Sequence, residues 1–189
     1  MAVQTWRMNA TPQQLVDDAR LSHVLSCWQR WRGVQLCPAR DDIDPFDLKQ
    51  LLPNIFMVEA IDDGARFRYV LTGVAVREQL GFELSHRHLD EIFTGEQLNR
   101  VTANYRTVMT GYGHYVVQHW SQRGRPIMQF RRLLLPLAAD RTRIDAVLGF
   151  ALYDRLPGHD GRPIDHLHDP VTTTVIAENV IDLAMAEDD

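Results

Sequence analysis

Residues 66–73 read RFRYVLTG and follow Asp62-Asp63-Gly64 after a single residue, Ala65. Phe67, Tyr69 and Leu71 alternate with Arg66, Arg68 and Val70, the period-two weave of a strand with one face in a core. Residues 55–61, IFMVEAI, are equally strand-like, and Asp63-Gly64 supplies the residues that a tight hairpin turn selects. The spacing predicts a hairpin of 55–61 with 67–71. Phe67, Tyr69 and Leu71 turn inward, and Arg66 and Arg68 face solvent or a flanking helix.

Downstream, residues 74–93 mix short helical pieces with loop. Thr94-Gly95-Glu96-Gln97 has capping-box form, and Leu98, Val101, Tyr105, Val108 and Met109 make one helical stripe over 95–110 that ends at Gly111. Three extended segments follow at 112–121, 126–138 and 146–154, with turns at Arg123-Gly124 and around Asp140. Upstream, Thr11-Pro12-Gln13-Gln14 is a helix start, and Leu21, Val24, Leu25, Trp28 and Trp31 continue at helical spacing to Gly33. Asp44-Pro45 opens a short helix that runs to Leu52. After Leu156 the composition shifts to Pro, Gly, His and Asp, the character of a tail, with 171–185 open to either strand or helix.

The expected division is a tail over 1–12, a long amphipathic helix over 13–34, a compact domain over 35–156 and a C-terminal extension over 157–189. A hairpin, a helical crossover and a three-stranded meander make an α+β fold: a five-stranded antiparallel sheet with helices on one face.

Composition narrows the function. With 20 Lys and Arg against 25 Asp and Glu the net charge is −5, which disfavours a general nucleic-acid binder. No apolar run reaches the roughly 20 residues of a membrane span, and MAVQTWRMNATPQQ has no apolar signal core, so the expected location is cytoplasmic. Cys27 and Cys37 form neither a disulfide framework nor a paired metal motif, and Cys27 falls on a helix face. No phosphate-cradling glycine loop, nucleophile elbow, HExxH, kinase or cyclase motif is present, so the chain reads as a non-enzyme. His86, His88, His159, His166 and His168 match no standard metal spacing and read as surface histidines.

Three stretches, PARDDIDPFDLKQLLPNIFMVEA, RFRYVLTG and FRRLLLPLA, together resemble the motifs of small stand-alone bacterial PAS-like proteins within the PAS-domain superfamily. Arg40, Asp42, Asp44, Pro45, Leu52, Pro53, Arg68, Tyr69, Gly73, Arg132 and Pro136 occupy the matching positions, and coverage runs over about residues 20–155. One departure is Arg131, where family members often carry an acidic residue. The resemblance implies the PAS fold and a sensory or partner-binding role in signal transduction. With no output domain read in these 189 residues, a signal would pass to a protein partner. Haem-binding PAS domains use a histidine on the crossover helix, and flavin photoreceptors a cysteine there. Residues 95–110 hold neither, which leaves the cofactor unassigned.

The candidate ligand site follows from strand parity. Met128, Phe130 and Leu134 share a face with Arg132, and a guanidinium among apolar groups must find a carboxylate, carbonyls or a ligand. The bland expectation is a salt bridge to Asp90 or Glu78; the sharper one is an anionic head group held by Arg132, with Tyr69, Tyr105, Tyr153 and Phe130 as its neighbours. Trp28 and Trp31 either cap the chain's own sheet or pair two copies as a homodimer. The alternatives kept beside the sensor are a ligand-free adaptor and a cone-shaped α+β isomerase or dehydratase with His119 or Asp90 as base.

Overall fold

In the computed structural model, which describes residues 11–140, 143–157 and 172–184, β1 (Ile55–Ile61) and β2 (Arg66–Thr72) form the expected antiparallel hairpin. Asp62, Asp63 and Gly64 all take positive φ in the turn, a conformation that Asp tolerates and Gly favours. Phe67 and Tyr69 are buried, while Arg66 pairs with Asp90 and Arg68 with Glu59 on the neighbouring strand. Leu71 departs from the pattern. A bulge between Met57 and Val58 shifts the register, places Leu71 opposite Met57 and leaves it 43% exposed.

The remaining strands are β3 (Gly113–Gln122), β4 (Arg125–Ala138), β5 (Ile144–Arg155) and β6 (Thr172–Ile181). They join the hairpin in one antiparallel sheet of order β2-β1-β5-β4-β3-β6. The sheet therefore has six strands, not five. The sixth comes from the C-terminal segment and lies along β3, from Gly113 opposite Ile181 to Ser121 opposite Thr172. Residues 172–176 are all exposed, so this edge strand lacks the apolar alternation that marks a core strand.

Helices cover both faces, which corrects the one-sided arrangement. α2 (Val74–Leu80) and α3 (Gly95–Met109) lie over Phe56, Val58, Phe67, Tyr69, Phe130, Leu134, Val147 and Ala151 through Val76, Val101, Tyr105 and Val108. α1 (Ala19–Arg32) covers the other face, where Leu21, Val24, Leu25 and Trp28 pack on Tyr115, Leu133, Leu135, Leu148 and Phe150. Trp28 is wholly buried, and its indole N–H donates to the Pro136 carbonyl at 2.8 Å. The Trp31 indole donates to Asp47 at 3.0 Å. Trp28 thus belongs to its own domain's core and is not free to anchor a second copy.

The helix expected over 13–34 is interrupted. Pro12–Leu15 is a single 3-10 turn, Val16 drops extended into the core, and α1 starts afresh at Asp18, whose carboxylate accepts the Arg20 N–H at 2.9 Å. A short acidic side chain competes for backbone N–H groups and favours a cap over a helix interior. Arg131 completes this corner, lying 2.5 Å from Asp154 and 3.7 Å from Asp18. The segment expected as a helix from Asp44 is two 3-10 turns, Pro45–Leu48 and Leu52–Asn54.

Two of the quoted motifs lock together at the hairpin. The Gly73 N–H donates to the Ile55 carbonyl at 2.7 Å, and a Cβ there would lie 2.4 Å from the Pro53 carbonyl oxygen. Asn54 then ties the same turn to β5 by donating to the Ala151 carbonyl at 2.8 Å.

Candidate functional site

A cavity of about 370 Å³ lies between α3 and the sheet. Its floor is apolar and aromatic because β4 and β5 turn alternate residues, Phe130, Arg132, Ala151 and Tyr153, toward α3, and β1 and β2 add Phe56 and Tyr69. The roof is Arg100, Val101 and Asn104 of α3, with Val76 and Leu80 of α2 at one side and Gln118, Trp120 and Thr173 at the other. Trp120 stacks on Phe130 with centroids 5.3 Å apart, and Tyr153 meets both rings at 5.8 and 5.2 Å. Gly149 makes room for the floor: a Cβ at that position would fall 2.1 Å from the Phe56 Cζ. The volume equals that of about a dozen liquid waters at ~30 Å³ each, at the small end of ligand pockets.

One end of this cavity is polar. Oriented to satisfy its surroundings, the Asn104 amide accepts from Arg132 Nη2 at 2.8 Å and donates to the Arg100 carbonyl at 3.2 Å. Arg132 Nε is enclosed without a hydrogen-bond partner, and the enclosed Tyr105 hydroxyl lies toward that of Tyr69. Among the described residues no carboxylate lies within 4 Å of Arg132. The expected salt bridge is therefore corrected: Asp90 binds Arg66 with both oxygens, at 2.7 and 2.9 Å, and Glu78 stands on the exposed side of α2. The Arg66 hydrogen bonds hold the Asp90 carboxyl below the usual range. Burial pushes the phenols of Tyr69, Tyr105 and Tyr153 upward, against the opposing pull of Arg132, and keeps all three neutral hydrogen-bonding groups.

Of the five residues singled out from the sequence, Tyr69, Phe130, Arg132 and Tyr153 line the cavity. Tyr105 is buried behind its wall, its ring 5.4 Å from Phe67. Sequence reasoning did not select Arg100, Asn104, Gln118 or Trp120. The first three are polar positions that a surface helix or strand also shows, whereas alternation in GHYVVQHW points Trp120 toward the Phe130 side.

It also passed over His114. This side chain is 2% exposed, and its Nε2 lies 2.8 Å from Glu178 on β6. Burial lowers its pKa against the opposing pull of Glu178.

Neither His119 nor Asp90 lines this cavity; Asp90 lies instead on the outer flank of α3, paired with Arg66. His86 sits in a positive-φ turn whose N–H donates to the Tyr69 carbonyl, and His88 lies 3.3 Å from Glu91. His159, His166 and His168 fall outside the described residues. Among the described residues no three His, Cys, Asp or Glu side chains gather as metal ligands, and no helix is long and apolar enough to cross a membrane. Two larger depressions, about 730 Å³ beside the outer flank of α3 and about 640 Å³ beside α1, are wider open to solvent. Their ion pairs, Arg66–Asp90 and Arg20–Asp154, are closed on themselves.

Residues 16–152, well over half of the chain, match a family described as "PAS domain". No curated protein and no solved structure matches the chain. The match spans α1, the hairpin, the crossover helices, β3, β4 and β5 as far as Leu152, so of the residues lining the cavity it leaves out Tyr153 and Thr173. The chain belongs to the PAS domain family, whose members are in general non-enzymatic sensory modules.

Proposed function

We propose that this chain is a cytoplasmic sensory module whose cavity takes a small amphipathic anion, with a carboxylate at Arg132 and an apolar body among Phe56, Phe130, Trp120 and Tyr153, and that occupancy is reported to a protein partner. The observation that carries the reading is the Arg132 guanidinium at an apolar cavity, with one amide oxygen for a partner and its Nε enclosed and unpaired. A half-buried guanidinium with an enclosed, unpaired Nε is costly, and an incoming carboxylate supplies the missing acceptors. The volume suits a ligand of about a dozen non-hydrogen atoms, such as a medium-chain fatty acid or an aryl carboxylate.

Native mass spectrometry of the purified protein, followed by calorimetric titration with decanoate, tests this. A charge-assisted hydrogen bond contributes about 1.5–3 kcal/mol. Arg132→Met is therefore expected to weaken decanoate binding between tenfold and a hundredfold while leaving decanol binding unchanged. Equal decanoate affinity in the two proteins overturns the head-group assignment. A bare native mass with no decanoate binding moves the chain to the ligand-free adaptor reading.

A further inference from the structure

We propose that β6 is a ligand-released strap: its Glu178 serves the cationic end of the cavity that an anionic ligand would also serve, so occupancy and β6 docking oppose each other. The inference rests on the anion reading of Arg132 given above.

Register carries the argument. Val116 on β3 is opposite Arg132 on β4 and opposite Glu178 on β6, so both charged side chains stand on the face that α3 covers. Their backbones are two strand spacings apart, about 10 Å, close enough for each charge to feel the other's field. His114, two residues along the same strand and on the same face, holds the Glu178 carboxylate at 2.8 Å. From the other side α3 contributes Arg100 and Asn104. The His114 hydrogen bond, then the fields of Arg132 and Arg100, draw the Glu178 carboxyl below its ordinary range. Glu178 is thus the countercharge of the cavity's basic end, supplied from an outer strand.

Beyond its backbone ladder with β3, few side chains of that strand enter the core. Residues 172–176 are exposed; inward anchors are Ile181 and the Asn179 amide on the Leu15 carbonyl at 2.8 Å. β6 also lies outside the residues that match the family, so the shared PAS core is made without it. A carboxylate arriving at Arg132 neutralises the field that favours Glu178 and adds a like charge beside it. By reciprocity, whatever weakens β6 docking must strengthen anion binding. Release bares the β3 edge, a row of unpaired backbone groups that accepts another strand.

Hydrogen–deuterium exchange over residues 172–181 of the full chain, with and without decanoate, tests the coupling in the wild type and in Glu178→Gln. Glu178→Gln is expected to speed β6 exchange about tenfold without ligand and to tighten decanoate binding about tenfold, a coupling of ordinary allosteric size. Decanoate is expected to speed β6 exchange in the wild type, with β1 and β5 unchanged. Decanoate binding that Arg132→Met abolishes but that leaves β6 exchange unmoved, or slows it, overturns the strap and spares the ligand reading. No decanoate binding by either protein removes both.

Discussion

Arg132 could be singled out from the sequence because parity alone set a guanidinium on the same strand face as Phe130 and Leu134. What parity does not reveal is the partner. Asn104 and Arg100 come from a helix whose polar residues look like any solvated stripe, and only the approach of α3 to the sheet brings them to Arg132. His114 was within reach of the same reasoning, because alternation in GHYVVQHW sets His114 on the face of Val116 and away from that of Tyr115, yet a histidine in a strand carries no signal of its own. A half-buried, underpaired charge predicts an asymmetry between function and stability. Replacing a buried ion by an apolar group of similar size is often neutral or stabilising. Arg132→Met is therefore expected to leave the denaturation midpoint unchanged or raise it by about 1 kcal/mol of stability, even as it loses the anion. A large destabilisation in urea titration would show that the guanidinium has a structural partner after all.

At the scale of elements, the strands and α3 were legible because each repeats an apolar position at its own period, and β1 to β5 fall within two residues of the segments expected. The failures have physical causes. β6 is an outer strand with an exposed first half, so it has little apolar pattern to read. α1 has a clear apolar face, but a helix face does not say whether it meets its own sheet or a second copy; tertiary packing decides, and here Trp28 goes to the sheet. Trp28→Ala should cost about 3–5 kcal/mol, seen in chemical denaturation as loss of the monomer fold with no concentration dependence. A concentration-dependent midpoint that the substitution removes would restore the dimer interface. The joint between the hairpin and the preceding turn makes a sharper case. A methyl at Gly73 meets the Pro53 carbonyl oxygen at 2.4 Å, against backbone that cannot rotate aside. Gly73→Ala is expected to destabilise by more than 1 kcal/mol, the onset of the overpacking range, whereas Gly124→Ala, with open space at its Cβ, carries only the strain of its positive φ. Equal midpoints for Gly73→Ala and the wild type would mean that the turn shifts freely.

For the molecule as a whole, one sheet faces two ways: α1 seals one side with hydrocarbon, and the other keeps a cavity with a charged corner shared among β3, β4, β6 and α3. That corner sets a dependence of stability on pH. His114 is buried with Glu178 on β6, Arg132 on β4 and Arg100 on α3 as its charged surroundings, and its folded pKa lies below the ordinary 6.5. As pH falls below 6.5 the unfolded chain takes up that proton first, so folding stability declines, and the decline continues until the folded imidazole is protonated too. Glu178, also depressed, adds a further loss that begins below its ordinary 4.5. One differential proton limits the slope to about 1.4 kcal/mol per pH unit. The quantity to measure is the difference between wild type and His114→Gln, since glutamine keeps an N–H for Glu178 and cannot titrate. The two stability profiles are expected to run parallel above pH 6.5 and to converge as pH falls from 6.5 toward 5, with β6 amides losing protection before those of β4. Profiles that stay parallel throughout that window would place the imidazole in contact with water and leave Glu178 without its buried partner.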